Sequence, residues 1–322
     1  MIPRFLTGHD VNPHRNLARE EALLLACDRG EIDSPLLYLW QNANTVVIGR
    51  AQNAWRECAT ERMREEGCTL ARRTTGGGAV FHDLGNLNFS FIVPRAQYDL
   101  ARQLSVIQAA VGSFGIACEF SGRNDLLAGG RKFSGNAFRF LSGAALHHGT
   151  LLIRADGARM ARFLQPSKEK LEAKGVKSVP SRVVNLSELS ADVTVERLSG
   201  ALRRAFEAEY GPGGAGDADA LELPDYAALA ARNATWDWNY GETLAFDAAF
   251  QHRFPWGGVE LQLRLENGRV AAARAFTDAM DADLGEKLET ALMGRRFAPK
   301  ELSEAVTPVN EDAAAWLGAL EL

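Results

Sequence analysis

Apolar positions recur at helical spacing through "HRNLAREEALLLACDRG", which ends at Gly30, and predict an amphipathic helix. Two short apolar runs, "PLLYLW" and "NTVVIG", follow as strands joined by the polar "QNA". The charged stretch "AWRECATERMREEG" reads as one helix closing at Gly67. After "TLARR" and a run of three glycines comes "LNFSFIV", where Leu87, Phe89, Phe91 and Val93 alternate with smaller or polar neighbours as in a half-buried strand. "YDLARQLSVIQAAVGSFG" is helical and "IACEF" is a strand. "DLLAGGRKFSGNAFRF" predicts a hairpin, because Gly129-Gly130 can take the positive φ values of a two-residue primed turn. "ALHHGTLLI" is the next strand, and helices resume around "ARMARFLQ" and "VERLSGALRRAFEAEYG". The low-complexity "GPGGAGDADALELPD" reads as a surface loop or the start of a linker. Beyond it, "VELQLRLENGRVAAARAFT" turns at Asn267-Gly268, and helices start near Ala282 and Glu301. Strands outnumber helices in the first part and pair mostly as hairpins. The expected architecture is α+β with a mixed or antiparallel sheet, divided near Tyr240 into domains 1–240 and 241–322.

A length of 322 residues at 46% hydrophobic content fits a large core and a smaller one. The net charge of -5 conceals an asymmetry: Ser121 to Arg182 holds 12 Lys/Arg against 4 Asp/Glu, and Glu207 to the end holds 9 against 21. A basic middle suits an anionic ligand or an acidic protein partner, and also an ordinary solvated face. Nucleic acid fits poorly, since the basic residues are not interleaved with aromatics and the pI is about 5.8. "MIPRFLTGHDVNPHRNLARE" has charge and proline where a targeting segment needs an apolar or Arg/Ser-rich run, and no stretch approaches a membrane span, so a cytoplasmic protein is expected. Cys27, Cys58, Cys68 and Cys118 show no CxxC spacing, which argues against both disulfides and a zinc site.

Four stretches could carry chemistry. In "RRTTGGGAVFHDLGN", bare backbone N–H groups can form an anion nest with Arg72 or Arg73 adding charge, although three glycines can equally make a tight turn. The stretch lacks the GK[ST] ending of a Walker loop and the GxGxxG of a dinucleotide fold. In "GRNDLLAGGRKFSGNAFRF", Lys132 begins a strand just past the turn and so places an ammonium on a rigid element, suited to a carboxylate or acyl phosphate. Asp125 and Asn124 offer hard oxygen for a magnesium ion that carries phosphates; the alternative is a solvated hairpin with an edge lysine. In "HHGTLLI", adjacent His147 and His148 point to opposite faces, so at most one lines a given pocket. In "EKLEAKGVKSVPSRVVNL", Lys174, Lys177 and Arg182 surround a loop with the composition of an anion-binding lid or of a basic surface loop.

Together and in this order, the glycine run with "VFHDLGN", "GRND", the "GGRK" hairpin, "HHGTLL", "KGVKSVPSRV" and a later "WGGVELQL" resemble the lipoate-protein ligase A family, from about Asn16 to Phe276; the helices after Asp283 match only in general character. The resemblance implies a mixed or antiparallel sheet of the biotin/lipoate ligase type and a smaller α+β C-terminal domain acting as a mobile cover. It implies ATP-dependent activation of lipoate to lipoyl-AMP with release of pyrophosphate, then lipoyl transfer to a lysine of an acceptor. The acceptors implied are lipoyl domains of 2-oxo acid dehydrogenase E2 subunits and the glycine cleavage H protein. By the same resemblance, Arg73 and the backbone of Gly78, Ala79, Val80 and Phe81 hold the nucleotide, with Ser178, Val179 and Arg182 in the loop folded over the adenylate. Gly76 and Gly77 let the loop close over the fatty chain, and Lys132 neutralises the carboxylate beside the α-phosphate. Asp125, supported by Asn124, is the expected magnesium site of the ATP complex, and His82 and His148 are expected pocket residues. Leu17, Leu36, Trp40 and Val46 are expected along the apolar channel, and all four would also serve an ordinary core. Three rivals stand beside this reading. A cysteine-dependent acyl transferase of the same fold would need an activated thiolate, and no cysteine follows "HHGTLL". A biotin ligase would carry a "GRGRxGR"-like loop, and a non-catalytic binder would not need Lys132.

Overall fold

A computed structural model describes residues 4–121, 124–164, 183–240 and 247–320. In chain order the elements are β1 (Phe5–Thr7), α1 (Pro13–Asp28), β2 (Leu36–Trp40), β3 (Thr45–Ile48), α2 (Ala54–Glu57), α3 (Thr60–Glu65), β4 (Thr69–Arg72), β5 (Val80–His82) and β6 (Asn86–Pro94). They continue with α4 (Leu100–Gly112), β7 (Glu119–Ser121), β8 (Asp125–Ala128), β9 (Arg131–Phe140), β10 (Ala144–Leu152), α5 (Gly157–Phe163), α6 (Leu186–Leu189) and α7 (Val195–Tyr210). The rest are β11 (Ala215–Asp217), α8 (Tyr226–Asn233), α9 (Trp236–Tyr240), β12 (Ala248–Phe254), β13 (Gly257–Glu266), β14 (Arg269–Thr277), α10 (Leu284–Leu292), α11 (Pro299–Val306) and α12 (Glu311–Gly318).

Eight strands form one sheet in the order β11-β1-β2-β6-β10-β9-β8-β7. Its β11-β1-β2 edge is parallel and the remaining pairs are antiparallel, so the expected mixed sheet is present. One face packs Leu37, Leu39, Phe89 and Phe91 against α4 and α7. The other packs Tyr38, Trp40 and Ile92 against α1 and against a small sheet ordered β4-β3-β5. A separate core, drawn from residues 254–317, joins the β12-β13-β14 sheet to α10, α11 and α12. The two predicted turns hold: Gly129 and Gly130 have φ of 57° and 73°, and Asn267 and Gly268 have 52° and 72°. Among the described residues no helix is long and apolar enough to cross a membrane.

Covering both faces of the large sheet changes several local expectations. β6 is buried from Asn86 to Val93 instead of half-exposed, because its alternate residues face two different cores. α1 is buried nearly all round, with Arg19 and Glu20 inside, since it lies between the sheet and α8. β2 and β3 do not form a hairpin; "QNA" carries the chain from the large sheet to the small one. The charged helix over 54–67 breaks into α2 and α3 at Cys58, which takes an extended conformation and bridges to Leu164. Part of the low-complexity loop becomes β11, an edge strand whose partner, β1, has no turn signal to announce it.

Gly149, on β10, sits where any side chain would intrude on the fully buried Phe89 ring (2.6 Å) and the Gly135 carbonyl (2.7 Å). Gly149→Ala should therefore lower unfolding free energy by about 1–3 kcal/mol. Gly112→Ala, at an open helical position, should instead raise it by about 0.5–1 kcal/mol. Urea denaturation of the two variants checks the contrast.

Candidate active site

The small sheet folds over the large one and leaves a pocket between them whose empty space, mouth included, is about 620 Å³. Its floor crosses neighbouring strands, from Lys132 and Asn136 on β9 through His148 and Thr150 on β10 and Asn88 on β6 to Trp40 on β2. Its roof is the glycine loop with Val47, Val80 and His82, and Leu17 of α1 closes one side. Thus the elements meet here because both sheets bury an apolar face against each other.

Arg73 shapes the roof. It is 6% exposed, and its guanidinium donates to the carbonyls of Gly76 (2.7 Å), Gly78 (2.8 Å) and Val47 (3.2 Å) and to Thr75 Oγ1 (3.0 Å). Neighbouring Arg72 points the other way and binds carbonyls of Arg50, Gln52, Trp238 and Asn239. Burial lowers both guanidinium pKa values to about 10, which leaves them charged near neutrality. The glycines permit close backbone approach: a side chain on Gly49 would overlap the Gly77 carbonyl at 2.3 Å, and one on Gly76 would overlap the Ala279 carbonyl at 2.3 Å. Gly77, at φ 90°, needs the left-handed freedom, and its N–H donates to the Ala279 carbonyl at 2.8 Å. The C-terminal segment therefore lies directly on the loop. Gly78 faces open space in the pocket.

Lys132 stands at the other end. Its Nζ lies 2.7 Å from Asp125 Oδ1, with both side chains about a third exposed, at 32%. A side chain on Gly135 would meet that ammonium at 2.8 Å, so bare backbone at Gly135 leaves the room that Lys132 occupies. The Lys132 carbonyl accepts from Val184 N (2.9 Å), which fixes the start of the strand.

The two adjacent histidines separate as their strand demands. His147 is fully buried on the far face, between Gln103 and Asn136 at 2.9 Å each, and stacks on Phe91 and Phe138. His148 lines the pocket and joins a buried chain: its Nδ1 lies 2.8 Å from Glu20 Oε1 and its Nε2 lies 2.9 Å from Thr75 Oγ1. Glu20 also accepts from Ser90, which accepts from Trp40 Nε1. This chain ties α1, the floor and the glycine loop together. Burial holds His82 and His147 neutral, with pKa values down at about 3.

Of the residues singled out in the sequence, Leu17, Trp40, Arg73, Gly77, Gly78, Ala79, Val80, His82, Lys132 and His148 line the pocket. Asp125 adjoins it through Lys132, and Asn124 lines it while touching Met280 Sδ at 3.6 Å. Gly76 packs against Ala279 and Met280 instead, and the Phe81 ring packs beneath the roof on Phe163. Leu36 and Val46 belong to cores, and Val47 takes the wall position expected of Val46. Ser178, Val179 and Arg182, with Lys174 and Lys177, lie outside the described residues. The sequence reading missed Glu20, Thr75, Asn88, Gly135, Asn136 and Thr150; only the alternation of polar residues with Phe89 and Phe91 along β6 hinted at any of them. Among the described residues no three of His, Cys, Asp and Glu gather as a metal centre.

Comparison with known proteins gives this geometry a context. Residues 12–207 match the lipoyl protein ligase A/B catalytic domain, and residues 243–317 match the bacterial lipoate protein ligase C-terminus. P. falciparum LipL1, solved in complex with lipoate, is 28% identical and superposes with a TM-score of 0.88 over 98% of this chain and 99% of that one. A lipoate-protein ligase A bound with ATP is 27% identical, with a TM-score of 0.63 over 75% of this chain and 99% of that one. The Thermoplasma acidophilum bipartite lipoate protein ligase, described with its E2 lipoyl domain, is 26% identical, with a TM-score of 0.63 over 76% and 98%.

The neutral histidines set a pH dependence of stability. His82 and His147 stay unprotonated in the fold down to about pH 3, whereas in the unfolded chain they protonate below about 6.5. The unfolded state then binds more protons, so their contribution is complete above about pH 6.5 and is lost as pH falls from there towards 3. His147→Gln should reduce the slope of unfolding free energy against pH by about 1.4 kcal/mol per unit between pH 4 and 6. Urea titrations across that range measure it, and an unchanged slope would mean the native ring is charged.

Proposed function

The chain belongs to the lipoyl protein ligase A/B catalytic domain family and is a ligase; from that premise we propose that it activates lipoate with ATP to lipoyl-AMP and passes the lipoyl group to a lysine of an acceptor lipoyl domain. The observation that carries this reading is the Lys132 ammonium, pinned by Asp125 at one end of a pocket whose other end is Leu17 and Trp40. A cation followed by an apolar channel suits a carboxylic acid with a fatty tail. The lipoate complex of LipL1 and the ATP complex of the ligase A support the same pair of substrates.

In the first step a lipoate carboxylate oxygen attacks the α-phosphorus and the bond to pyrophosphate breaks. No proton has to move, but two anions must meet, so electrostatic positioning dominates. Lys132 exchanges Asp125 for the carboxylate and the α-phosphate. Arg73 keeps the loop in shape, and backbone N–H groups from Gly78 to Phe81 take phosphate oxygens. A magnesium ion accompanying the triphosphate would be held by Asp125, whose single carboxylate fits an ion that keeps mostly water and phosphate as ligands, and would neutralise phosphate charge.

In the second step the neutral amine of the acceptor lysine attacks the carbonyl carbon, the bond to AMP breaks, and the amine loses a proton. Lys132 polarises that carbonyl. Until an acceptor docks, the mixed anhydride has to be kept from water, a task suited to the Ala279–Met280 segment of the smaller domain, which we take to begin near residue 241. The E2 lipoyl domain described with the T. acidophilum ligase supports E2 domains as acceptors, and the H protein of glycine cleavage is a second candidate of the same kind. A thiol route finds no suitable nucleophile: burial pushes Cys58 up to about 12, Cys27 and Cys68 to about 11, and Cys118 upward as well.

Lys132→Ala should reduce lipoate-dependent pyrophosphate release by about 10²–10³-fold while leaving the fold intact, since removing one preorganised transition-state donor costs about that much. An undiminished rate would sink the proposal. Replacing all four cysteines with alanine should preserve ATP-dependent lipoylation of an acceptor domain, and loss of activity in a folded variant would favour the thiol route.

A further inference from the structure

His147 is a titratable side chain that the two reaction steps leave without a task. It is fully buried, with its ring stacked on Phe91 and Phe138 and Phe89 edge-on to it, a site where a phenylalanine would pack as well. What a hydrocarbon ring could not supply are its two bonds, to Gln103 at Nδ1 and to Asn136 at Nε2, each 2.9 Å. The neighbours assign the proton. Asn136 Nδ2 lies 2.9 Å from the Asn124 carbonyl, which can only accept, so the atom that Asn136 turns to His147 is its oxygen and Nε2 carries the hydrogen. A neutral ring then accepts at Nδ1, which turns the Gln103 amide nitrogen towards it and gives that otherwise unmatched nitrogen a partner.

These bonds run across three strands on the far face of the sheet, behind the pocket. His147 on β10 donates to Asn136 on β9, and Asn136 holds the Asn124 carbonyl with both its side-chain nitrogen (2.9 Å) and its backbone N–H (2.8 Å). Asn124 leads into β8, whose first residue, Asp125, pairs with Gly135 and carries the carboxylate 2.7 Å from Lys132 Nζ. Asp125 and Lys132 therefore sit on neighbouring strands, and on one side of Asp125 the two strands are joined through a single carbonyl. On its other side the β8–β9 register shifts between Leu126 and Leu127, and beyond β8 lies only the short β7. An irregular ladder holds a strand less firmly, so the doubled bond at Asn124 carries more of the placement of Asp125.

We propose that His147 is a positioning residue for the first step: acting through Asn136, it fixes the Asn124–Asp125 backbone and thereby the place at which the Asp125 carboxylate holds the Lys132 ammonium. It touches neither the acid nor the nucleotide. The proposal rests on the lipoate-ligase reading and deepens it by naming what holds the partner of the lysine from behind the sheet. Without the hydrogen on Nε2, Asn136 has no bond that keeps its amide turned to the Asn124 carbonyl. A shift of roughly 0.5 Å in the ion pair should then cost about tenfold in rate, since about 1 Å of misplacement can cost about 10²-fold.

The test uses the full chain with two substitutions: His147→Phe keeps an aromatic ring and removes both nitrogens, and His147→Gln puts back an N–H donor. In His147→Phe, backbone hydrogen exchange of the ligand-free protein should rise about tenfold at residues 124–128 while α1 and β2 stay as in the wild type. Lipoate-dependent pyrophosphate release should lose about tenfold in kcat/KM, and His147→Gln should recover both measures to within about twofold. In the Asp125→Asn background, where the carboxylate is already gone, His147→Phe should cost less than about twofold more, because the two residues act through one another. An equal loss in both backgrounds overturns the proposal, as does exchange that rises evenly over the sheet, since either makes His147 a packing residue only. Should His147→Phe not fold, Asn136→Ala removes the middle link and carries the same comparison. Exchange is read without substrate, so a rise confined to 124–128 together with no pyrophosphate from the wild type would uphold the hold on Asp125 and refute the ligase reading.

Discussion

A buried guanidinium that forms no ion pair with any carboxylate of the described residues is the constraint around which this site is built. Arg73 is satisfied by backbone carbonyls of Val47, Gly76 and Gly78, so those carbonyls must turn inward towards it. A buried cation is tolerated only when its donors are matched, and five N–H groups in a planar fork demand several acceptors at once. The loop that supplies them is forced into a tight path. Gly77 takes a left-handed conformation, Gly49 must let the Gly77 carbonyl pass, and Gly76 must let another segment touch it. The three glycines follow from the arginine as much as from any ligand, and they leave the loop's next peptide groups facing the pocket.

Two cations then serve different ends. Arg73 is locked into the loop, and its charge raises the potential of the pocket without moving. Lys132 is held by one carboxylate at a partly exposed position, so it can change partner when an anion arrives. This division follows the chemistry of the two side chains: a planar fork suits many fixed acceptors, and a compact ammonium on a flexible stem suits exchange. The other acid near the pocket, Glu20, is committed to His148 and Ser90 and holds the floor to the roof. Its partner His148 touches Thr75, which Arg73 also touches, so the loop is tied to the large sheet and to α1 through one connected set of bonds.

The parts legible in the sequence were those that break local rules. Three glycines before a strand, a lysine at the start of one and paired histidines within another each conflict with plain packing, and Arg73, Gly77, Lys132 and His148 all line the pocket. The Gly-Gly and Asn-Gly turns were equally readable, because positive φ has a residue signature. Glu20 was not, since "REE" on a helix reads as solvated charge until α8 and the sheet cover both sides of α1. Asn88 and Thr150 were hidden for a related reason: they are partners only through the β6–β10 register. The break between α2 and α3 depends on Cys58 pairing with Leu164, about a hundred residues away, and no local periodicity can announce it.

The contact between the C-terminal segment and the glycine loop is of a kind that can be remade. Gly77 N donates to the Ala279 carbonyl, Thr277 N donates to the Ala51 carbonyl, and around these bonds lie exposed ion pairs such as Arg50 with Glu286. Such surface pairs contribute little, about 0–1 kcal/mol each, and the two backbone bonds, at largely buried residues, add about 0.5–1.5 kcal/mol each net. The apolar core of residues 254–317 is separate from those of the large sheet, so displacing the segment would open no hydrophobic core. Met280 nevertheless reaches Asn124, whose carbonyl accepts from Asn136 on the pocket floor. A cover that is weakly held but touches the floor can respond to what the pocket contains. On the reaction proposed above, that is the property a cover would need to admit a nucleotide, shield an anhydride and then yield to a protein.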